Sequence, residues 1–414
     1  IICFTLKERT YDTSLYHSWL YMENKIYEDY CTGCGLCHSF LNAKLVKDEH
    51  GFENIQIGKD ESLLEFCKKT CPASGIHLLK ESSSTWGNYA SVYDAFACDD
   101  KIRFKSASGG ITTAVAMFLL DKGYVDGVIQ VGADENDPFN TKIYCNQSAE
   151  SVEKCCGSRY ITSKPLNNIV TYLETGNRYA FIGRPCDIVT LNNFIENNQK
   201  YKNSIYCTLT FFCAGAPSRR ASEKLSEHLN VSVEECQKIK YRGNGWPGEA
   251  TVTDREGNSF SMPYIESWDK ILGRDVRKIC KFCTDGIGEM SDISSGDLWY
   301  LSEELKPIFD EKPGRNVTFA RTSFGEKILK EASKEGYIEL SDYSKKINEL
   351  EYIQPYHAIR RKTIYPKITA MKTMGKVVPN YSSSLLKTYS KTRTFKQNFR
   401  TYLGTIHRIL KGKV

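Results

Sequence analysis

Cys31-Thr32-Gly33-Cys34-Gly35-Leu36-Cys37, answered by Cys67 and then Cys71-Pro72, is the stretch on which the reading of this chain turns. Three cysteines at C-x2-C-x2-C with a distant Cys-Pro form the bacterial ferredoxin arrangement, in which the fourth Cys of a run serves the other cluster. Cys31, Cys34, Cys37 and Cys71 therefore read as the ligands of one 4Fe–4S cluster. A second cluster would need thiols near positions 41, 61 and 64 beside Cys67, and these positions hold Leu41, Glu61 and Leu64. The module is half-kept and leaves Cys67 over. A zinc knuckle is the competing reading, but zinc sites usually pair two C-x2-C or C/H arms rather than three cysteines in tandem.

The chain has 414 residues, enough for two or three domains, and 16 cysteines. Disulfide-dense secreted domains are usually short, and the opening Ile1-Ile2-Cys3-Phe4-Thr5-Leu6 meets Lys7-Glu8-Arg9 before a secretory apolar core can form. The longest apolar run, Ala114–Leu120, falls far short of a membrane span. A cytoplasmic protein with metal-bound thiolates is expected. Net charge is +6, yet Tyr356–Val414 holds fourteen Lys and Arg and no Asp or Glu, which leaves −8 for the rest. The body is acidic and the tail basic, so the tail calls for an anionic partner.

Four regions follow: an N-terminal extension over 1–29, whose Tyr11, Tyr16, Trp19 and Tyr21 suggest packing on the body; a ferredoxin-like module over 30–80, closed by the polar linker Glu81–Thr85; an oxidoreductase domain over 86–345; and a basic tail over 346–414. In the third, Ser106-Ala107-Ser108-Gly109-Gly110 precedes a buried helix, Ile111–Leu120, and a strand, Tyr124–Val131. Such a glycine turn can cradle a pyrophosphate, though Ser-Gly-Gly before a helix also serves as a plain cap. Alternating strands and helices follow: Arg178–Gly183, Val189–Asn197, Ser204–Phe212 and Ser218–Leu229. Both strands end in cysteine-bearing loops, Gly183-Arg184-Pro185-Cys186 and Cys213-Ala214-Gly215, the place where α/β folds put their ligands. With Cys280-x2-Cys283, Cys186 and Cys213 make a four-thiolate set suited to a second 4Fe–4S cluster, zinc remaining the alternative there. Cys3, Cys98, Cys145, Cys155, Cys156, Cys207 and Cys236 read mostly as small buried residues. A hairpin is expected over Thr251–Tyr264, a strand at Val317–Ala320, a helix at Gly325–Ser333 and a strand at Tyr337–Leu340.

With these residues in hand the chain resembles the beta-subunit family of the coenzyme F-420 (deazaflavin) hydrogenases and dehydrogenases, as a stand-alone member with a fused ferredoxin-like module. Five segments carry the likeness in order: the Cys31 run with Cys71-Pro72, Ser108-Gly109-Gly110, Gly157-Ser158-Arg159-Tyr160, Gly183-Arg184-Pro185-Cys186, and Cys280-x2-Cys283 leading to Asp292-Ile293-Ser294-Ser295-Gly296-Asp297-Leu298-Trp299. The resemblance implies an α/β domain with a mixed sheet that binds FAD and a 4Fe–4S cluster. By that analogy Ser106, Ser108, Gly109, Gly110, Gly157, Ser158, Arg159, Tyr160 and Trp299 line the flavin site. Arg184 stands where the family usually has Thr, and Tyr300 where it has Gly, which would alter an acceptor pocket. Stand-alone relatives imply a link to surface-polysaccharide metabolism.

The expected function is an iron–sulfur flavoprotein oxidoreductase taking electrons from ferredoxin or a deazaflavin through two 4Fe–4S clusters to FAD and on to a small organic acceptor. Tyr160, Lys164 and His77 are candidate proton donors. The alternative is an electron-transfer subunit that feeds a partner enzyme and has no organic substrate of its own; a zinc-binding adaptor is a third possibility. In the tail, Phe395, Phe399, Tyr402, Leu403, Ile406, Ile409 and Leu410 fall at helical spacing beside Lys396, Arg400, Arg408 and Lys411. That face would either lie on an anionic membrane or pack on the body. No motif for reading nucleic acid appears.

Overall fold

The computed structural model describes residues 22–75, 82 and 84–412. His77, Cys3, Tyr11, Tyr16, Trp19, Tyr21 and parts of the 81–85 linker lie outside the described residues. Eight strands form one mixed sheet: β1 (Ser91–Ala97), β2 (Gly127–Ala133), β3 (Thr141–Asn146), β4 (Tyr179–Gly183), β5 (Ile205–Phe211), β6 (Ile293–Asp297), β7 (Asn316–Ala320) and β8 (Ile338–Asp342). Their order is β8-β1-β7-β6-β5-β4-β2-β3. The central β2, β4, β5 and β6 run parallel, and antiparallel strands finish both edges. Helices cover both faces, which is why the central strands read as nearly continuous apolar runs.

Alternate residues on these strands serve opposite layers. Val128 and Ala180 pack with Phe118, Leu119, Ile328 and Leu329 from the helices Ile111–Asp121 and Ser323–Lys334. Ile129 and Phe181 face the other way, against Leu191 and Phe194 of the helix Pro185–Asn197. This last helix starts four residues before the expected Val189, because Pro185 occupies its first turn and Asp187 reaches back to the Arg184 N–H at 2.9 Å. The Glu249–Asp254 and Ser259–Pro263 hairpin gains a third strand, Cys236–Lys240.

Residues 30–75 hold the hairpin Lys44–Lys47/Glu53–Gln56 and the helix Glu61–Thr70, capped where Asp60 accepts from the Leu63 N–H at 3.0 Å. Their core is not self-contained. Tyr27, Tyr30, Ile55 and Leu63 share it with Ile364, Ile368 and Met371 of the helix Pro355–Thr373, and the Tyr30 hydroxyl donates to the Val377 carbonyl at 2.8 Å. This helix of the basic tail is thus built into the body: its Arg361 forms a buried ion pair with Glu289. Among the described residues no helix is long and apolar enough to cross a membrane.

Candidate functional site

Cys31, Cys34, Cys37 and Cys71 all line one cavity, enclosed by the hairpin residues Leu45, Glu53 and Ile55 and by Thr70 and Thr190. Cys186, Cys213, Cys280 and Cys283 all line a second, walled by Pro72, Pro185, Ile279 and Tyr381. The two cavities share Thr32 as a wall. Cys67 lines neither; it is fully buried, with its sulfur 3.9 Å from that of Cys37. Of the remaining cysteines, Cys155, Cys207 and Cys236 are buried as expected, Cys155 against the large cavity described below, whereas Cys98 is exposed.

Four thiolates around one zinc ion stand about 3.8 Å apart, because each Zn–S bond is about 2.3 Å and the angles are tetrahedral. Among the described residues no three His, Cys, Asp or Glu side chains converge on a single-ion site. Cysteines that share a cavity without closing on one point suit a cluster, whose ligands each hold a different iron. Burial pushes the Cys34 and Cys213 thiols up to about 12 and that of Cys283 to about 11. Iron, which binds thiolate, would have to displace those protons.

Each set also has a buried guanidinium beside it that no carboxylate neutralises among the described residues. Arg277 donates only to neutral oxygens: Asn54 Oδ1 at 2.9 Å, the Glu53 carbonyl at 3.1 Å and Thr162 Oγ1 at 3.0 Å. Its guanidinium sits over Gly33, where an added Cβ would lie 2.3 Å from Nη2; the backbone there has φ +70°. Arg360 donates to the Cys213 carbonyl at 2.9 Å and that of Ala214 at 3.2 Å, and a Cβ on Gly286 would lie 1.5 Å from its Nη2. Buried charges are normally paired. A cluster held by four thiolates is an anion, so both cationic pockets fit that group.

The third space is a cavity of about 510 Å³ at the carboxyl ends of β4, β5 and β6. It shares Arg184, Cys213, Gly215 and Ala216 with the second cysteine cavity, so the three spaces stand in series. Ser106, Ser108, Gly110, Gly157, Ser158, Arg159, Tyr160 and Trp299 line it. Gly109 does not: a Cβ there would lie 2.7 Å from Asn316 Oδ1 and 2.9 Å from the Ala95 carbonyl, so its smallness serves packing of the turn against β1 and β7. Lys164 is absent as well; it lines the Cys31 cavity and pairs with Glu53 at 2.5 Å, which holds that carboxyl below its usual range.

Ile111, Thr112 and Thr113 bring the first turn of the 11-residue helix to this cavity, with Gly110 at φ +82° as its cap. Free N–H groups at a helix start favour an anion. Two lining groups are buried without a hydrogen-bond partner, Arg159 Nε and Asn316 Oδ1. An unused guanidinium donor in a cavity that also presents a helix start fits the pyrophosphate of a dinucleotide. Tyr160 sits in an aromatic wall with Tyr264 at 5.7 Å and Trp268 at 5.0 Å between ring centroids.

Residues that sequence patterns miss complete the wall. Arg242, buried, donates to both oxygens of Asp297 at 2.8 Å and lies 4.1 Å from the Tyr264 ring. Asp297 also accepts from Trp246 Nε1 at 2.8 Å, and Trp246 stacks on Trp299 at 4.4 Å. Asp297 falls inside a recognised segment, but Arg242 and Asn316 carry no local signal. The two departures resolve differently: Arg184 is buried and held by both Asp187 oxygens at 2.8 Å, while Tyr300 is absent from the cavity wall and lies under Arg315, 3.9 Å from its ring. Outside the cavity, a groove of about 490 Å³ is lined by Arg220, Lys224, Lys270, Arg274, His50 and His228, with Asp275 the one carboxylate among its lining residues.

Two family models match the chain: the coenzyme F420 hydrogenase/dehydrogenase beta subunit N-term over residues 92–170 and its C terminus over 176–346. The coenzyme F420 hydrogenase subunit beta of Methanosarcina barkeri is 24% identical over 293 residues, covering 68% of this chain and 89% of that protein. Its counterpart in Methanococcus voltae is 22% identical over 307 residues, covering 71% and 99%. The F420-dependent formate dehydrogenase 1 subunit beta of Methanococcus maripaludis is 26% identical over 251 residues, 60% of each chain. A chain of the F420-reducing [NiFe] hydrogenase complex from Methanosarcina barkeri shares the fold, with a TM-score of 0.57 and 21% identity over 73% of this chain and 99% of that one.

Proposed function

The chain belongs to the coenzyme F420 hydrogenase/dehydrogenase beta-subunit family, and from that premise we propose that it is an electron-transfer subunit, holding two 4Fe–4S clusters and one FAD and exchanging electrons with a partner enzyme. The observation that carries the reading is the series of three spaces with shared walls: Thr32 between the two cysteine cavities, and Cys213, Gly215 and Ala216 between the second of these and the large one. When bound, the clusters supply one-electron carriers and the flavin supplies the conversion between single electrons and hydride.

The chain's own residues hold and insulate that series. Cys31, Cys34, Cys37 and Cys71 would ligate the first cluster and Cys186, Cys213, Cys280 and Cys283 the second. Arg277 and Arg360 supply the countercharges, a lever on redox potential. The Ile111 helix start and Arg159 would hold the pyrophosphate, and Trp299, Tyr160 and Arg242 form the wall.

From the sequence alone, reduction of an organic acceptor comes first and the partner-feeding subunit second. The relatives named above are subunits of hydrogenases and dehydrogenases, which supports the second. The test is anaerobic reduction of the holoprotein by reduced coenzyme F420 and, separately, by reduced ferredoxin. One of them is expected to bleach both flavin and cluster absorbance, without turnover of a carbonyl or alkene acceptor unless a partner is added. Failure of both donors to reduce the loaded protein would sink the reading.

A further inference from the structure

The last described helix, Phe395–Leu410, meets the body through its polar side. Thr405 is buried, Thr401 Oγ1 accepts from Arg393 at 3.1 Å, Asn398 Nδ2 donates to the Ser390 carbonyl at 3.2 Å, and Ile409 joins the core behind the first cysteine set. At 100° per residue these four fall on one side of the helix. Phe395, Phe399, Tyr402, Leu403, Ile406 and Leu410 fall together on another arc about 100° wide. Most of this arc is left outward: Phe395 is 84% exposed, Leu410 71%, Phe399 49% and Leu403 48%, while Tyr402 and Ile406 are half-buried. The rings of Phe395, Phe399 and Tyr402 stack in a row along it, with centroids 5.9 and 6.3 Å apart. An amphipathic helix that buries threonine and shows phenylalanine to solvent is packed the wrong way round for a structural element alone.

Beside the apolar arc, Lys396, Arg400, His407 and Lys411 form an exposed stripe about 60° wide. No Asp or Glu occurs anywhere in residues 356–414. The helix also lies beyond the family-matched residues, which end at 346. We propose that this helix docks on an anionic lipid surface, with the ring row sunk among acyl chains and the basic stripe on the headgroup phosphates. Apolar arc and adjoining cations together meet both layers of such a surface. A second copy is the poorer occupant, because a two-fold contact through the arc would set two cationic stripes side by side.

The experiment is co-sedimentation of the full-length, cofactor-loaded protein with vesicles of phosphatidylcholine alone and of phosphatidylcholine mixed with phosphatidylglycerol. Binding is expected only to the anionic vesicles and is expected to fall as salt rises. Phe399→Asp with Leu403→Asp should weaken it at least about tenfold, since both apolar side chains would leave the acyl layer and two carboxylates would face the headgroup phosphates. Both positions are solvent-exposed, so iron content and circular dichroism should match the parent protein. Lys396→Glu with Arg400→Glu should abolish the anionic preference. No sedimentation, sedimentation untouched by the Asp pair, or a dimer in solution that the Asp pair dissolves would each overturn the proposal, the last by assigning the face to a second copy.

Discussion

Replacing Arg242 by Met removes one partner of an enclosed ion pair at the wall of the large cavity. It deletes the two 2.8 Å bonds to Asp297 and a third, from Nε to the Pro247 carbonyl at 3.0 Å. Asp297, with its side chain 18% exposed, keeps one donor, Trp246 Nε1. Breaking a buried pair on one side costs about 3–5 kcal/mol, because the other charge is left uncompensated. The surviving indole bond and the partial exposure of Asp297 place this case near 3 kcal/mol. For a unit the size of the family-matched part of the chain, roughly 250 residues, the unfolding entropy is about 0.5 kcal/mol per kelvin, so Tm should fall by about 5–6 °C. The double variant R242M/D297N removes the orphaned charge and should recover about half of the loss. Thermal unfolding followed by circular dichroism reads both, and flavin release from the single variant should rise along with the loss of stability. A Tm within about 1 °C of the parent, or a double variant no better than the single, would mean that the Arg242–Asp297 pair does not hold this wall.

Cys213→Ser should cost about four irons while leaving flavin content near that of the parent, and it should uncouple flavin reduction from the donor, measured by iron analysis and anaerobic absorbance. Gly33→Ala places a Cβ 2.3 Å from Arg277 Nη2 at φ +70°, so the guanidinium must move; iron content should drop, whereas Gly51→Ala, with open space around it, should keep its iron. His357 is buried beside Arg360, and burial first, then that cation, holds it well below the usual imidazole range. The unfolded chain therefore takes up a proton below pH of about 6.5 that the fold refuses, and stability falls as pH drops through that window by up to about 1.4 kcal/mol per unit. His357→Gln should flatten this slope in denaturant melts taken from neutral to mildly acid pH.

Much of the fold was readable because its signals are local. The Ile111 helix, β4, β5 and the Glu249–Pro263 hairpin all follow from short apolar runs bounded by glycine or polar turns, and the observed bounds differ from the expected ones by a few residues. Cysteine spacing likewise marks the Cys31–Cys37 run and the Cys280/Cys283 pair, whereas Cys186 and Cys213 come in through their places in loops at the ends of two strands rather than through spacing. What it could not reach are pairings made across long separations. Arg242 meets Asp297 across 55 positions, and Arg360 lies 147 positions from the Cys213 carbonyl it serves. Gly109 and Lys164 mislead for the same reason: each stands beside true lining residues in sequence, but packing turns one toward β7 and the other toward Glu53. The tail helix shows the limit most clearly. Its periodicity marks an apolar face but cannot say which face the body takes, and here Thr401 and Thr405 are the inward ones.

The most direct measurement is iron, acid-labile sulfide, zinc and flavin determined on one anaerobically purified sample. About eight irons, about eight sulfides and one FAD per chain are expected, with zinc near zero. About four irons would mean that one of the two cysteine sets holds no cluster, and stoichiometric zinc without flavin would contradict the redox account outright.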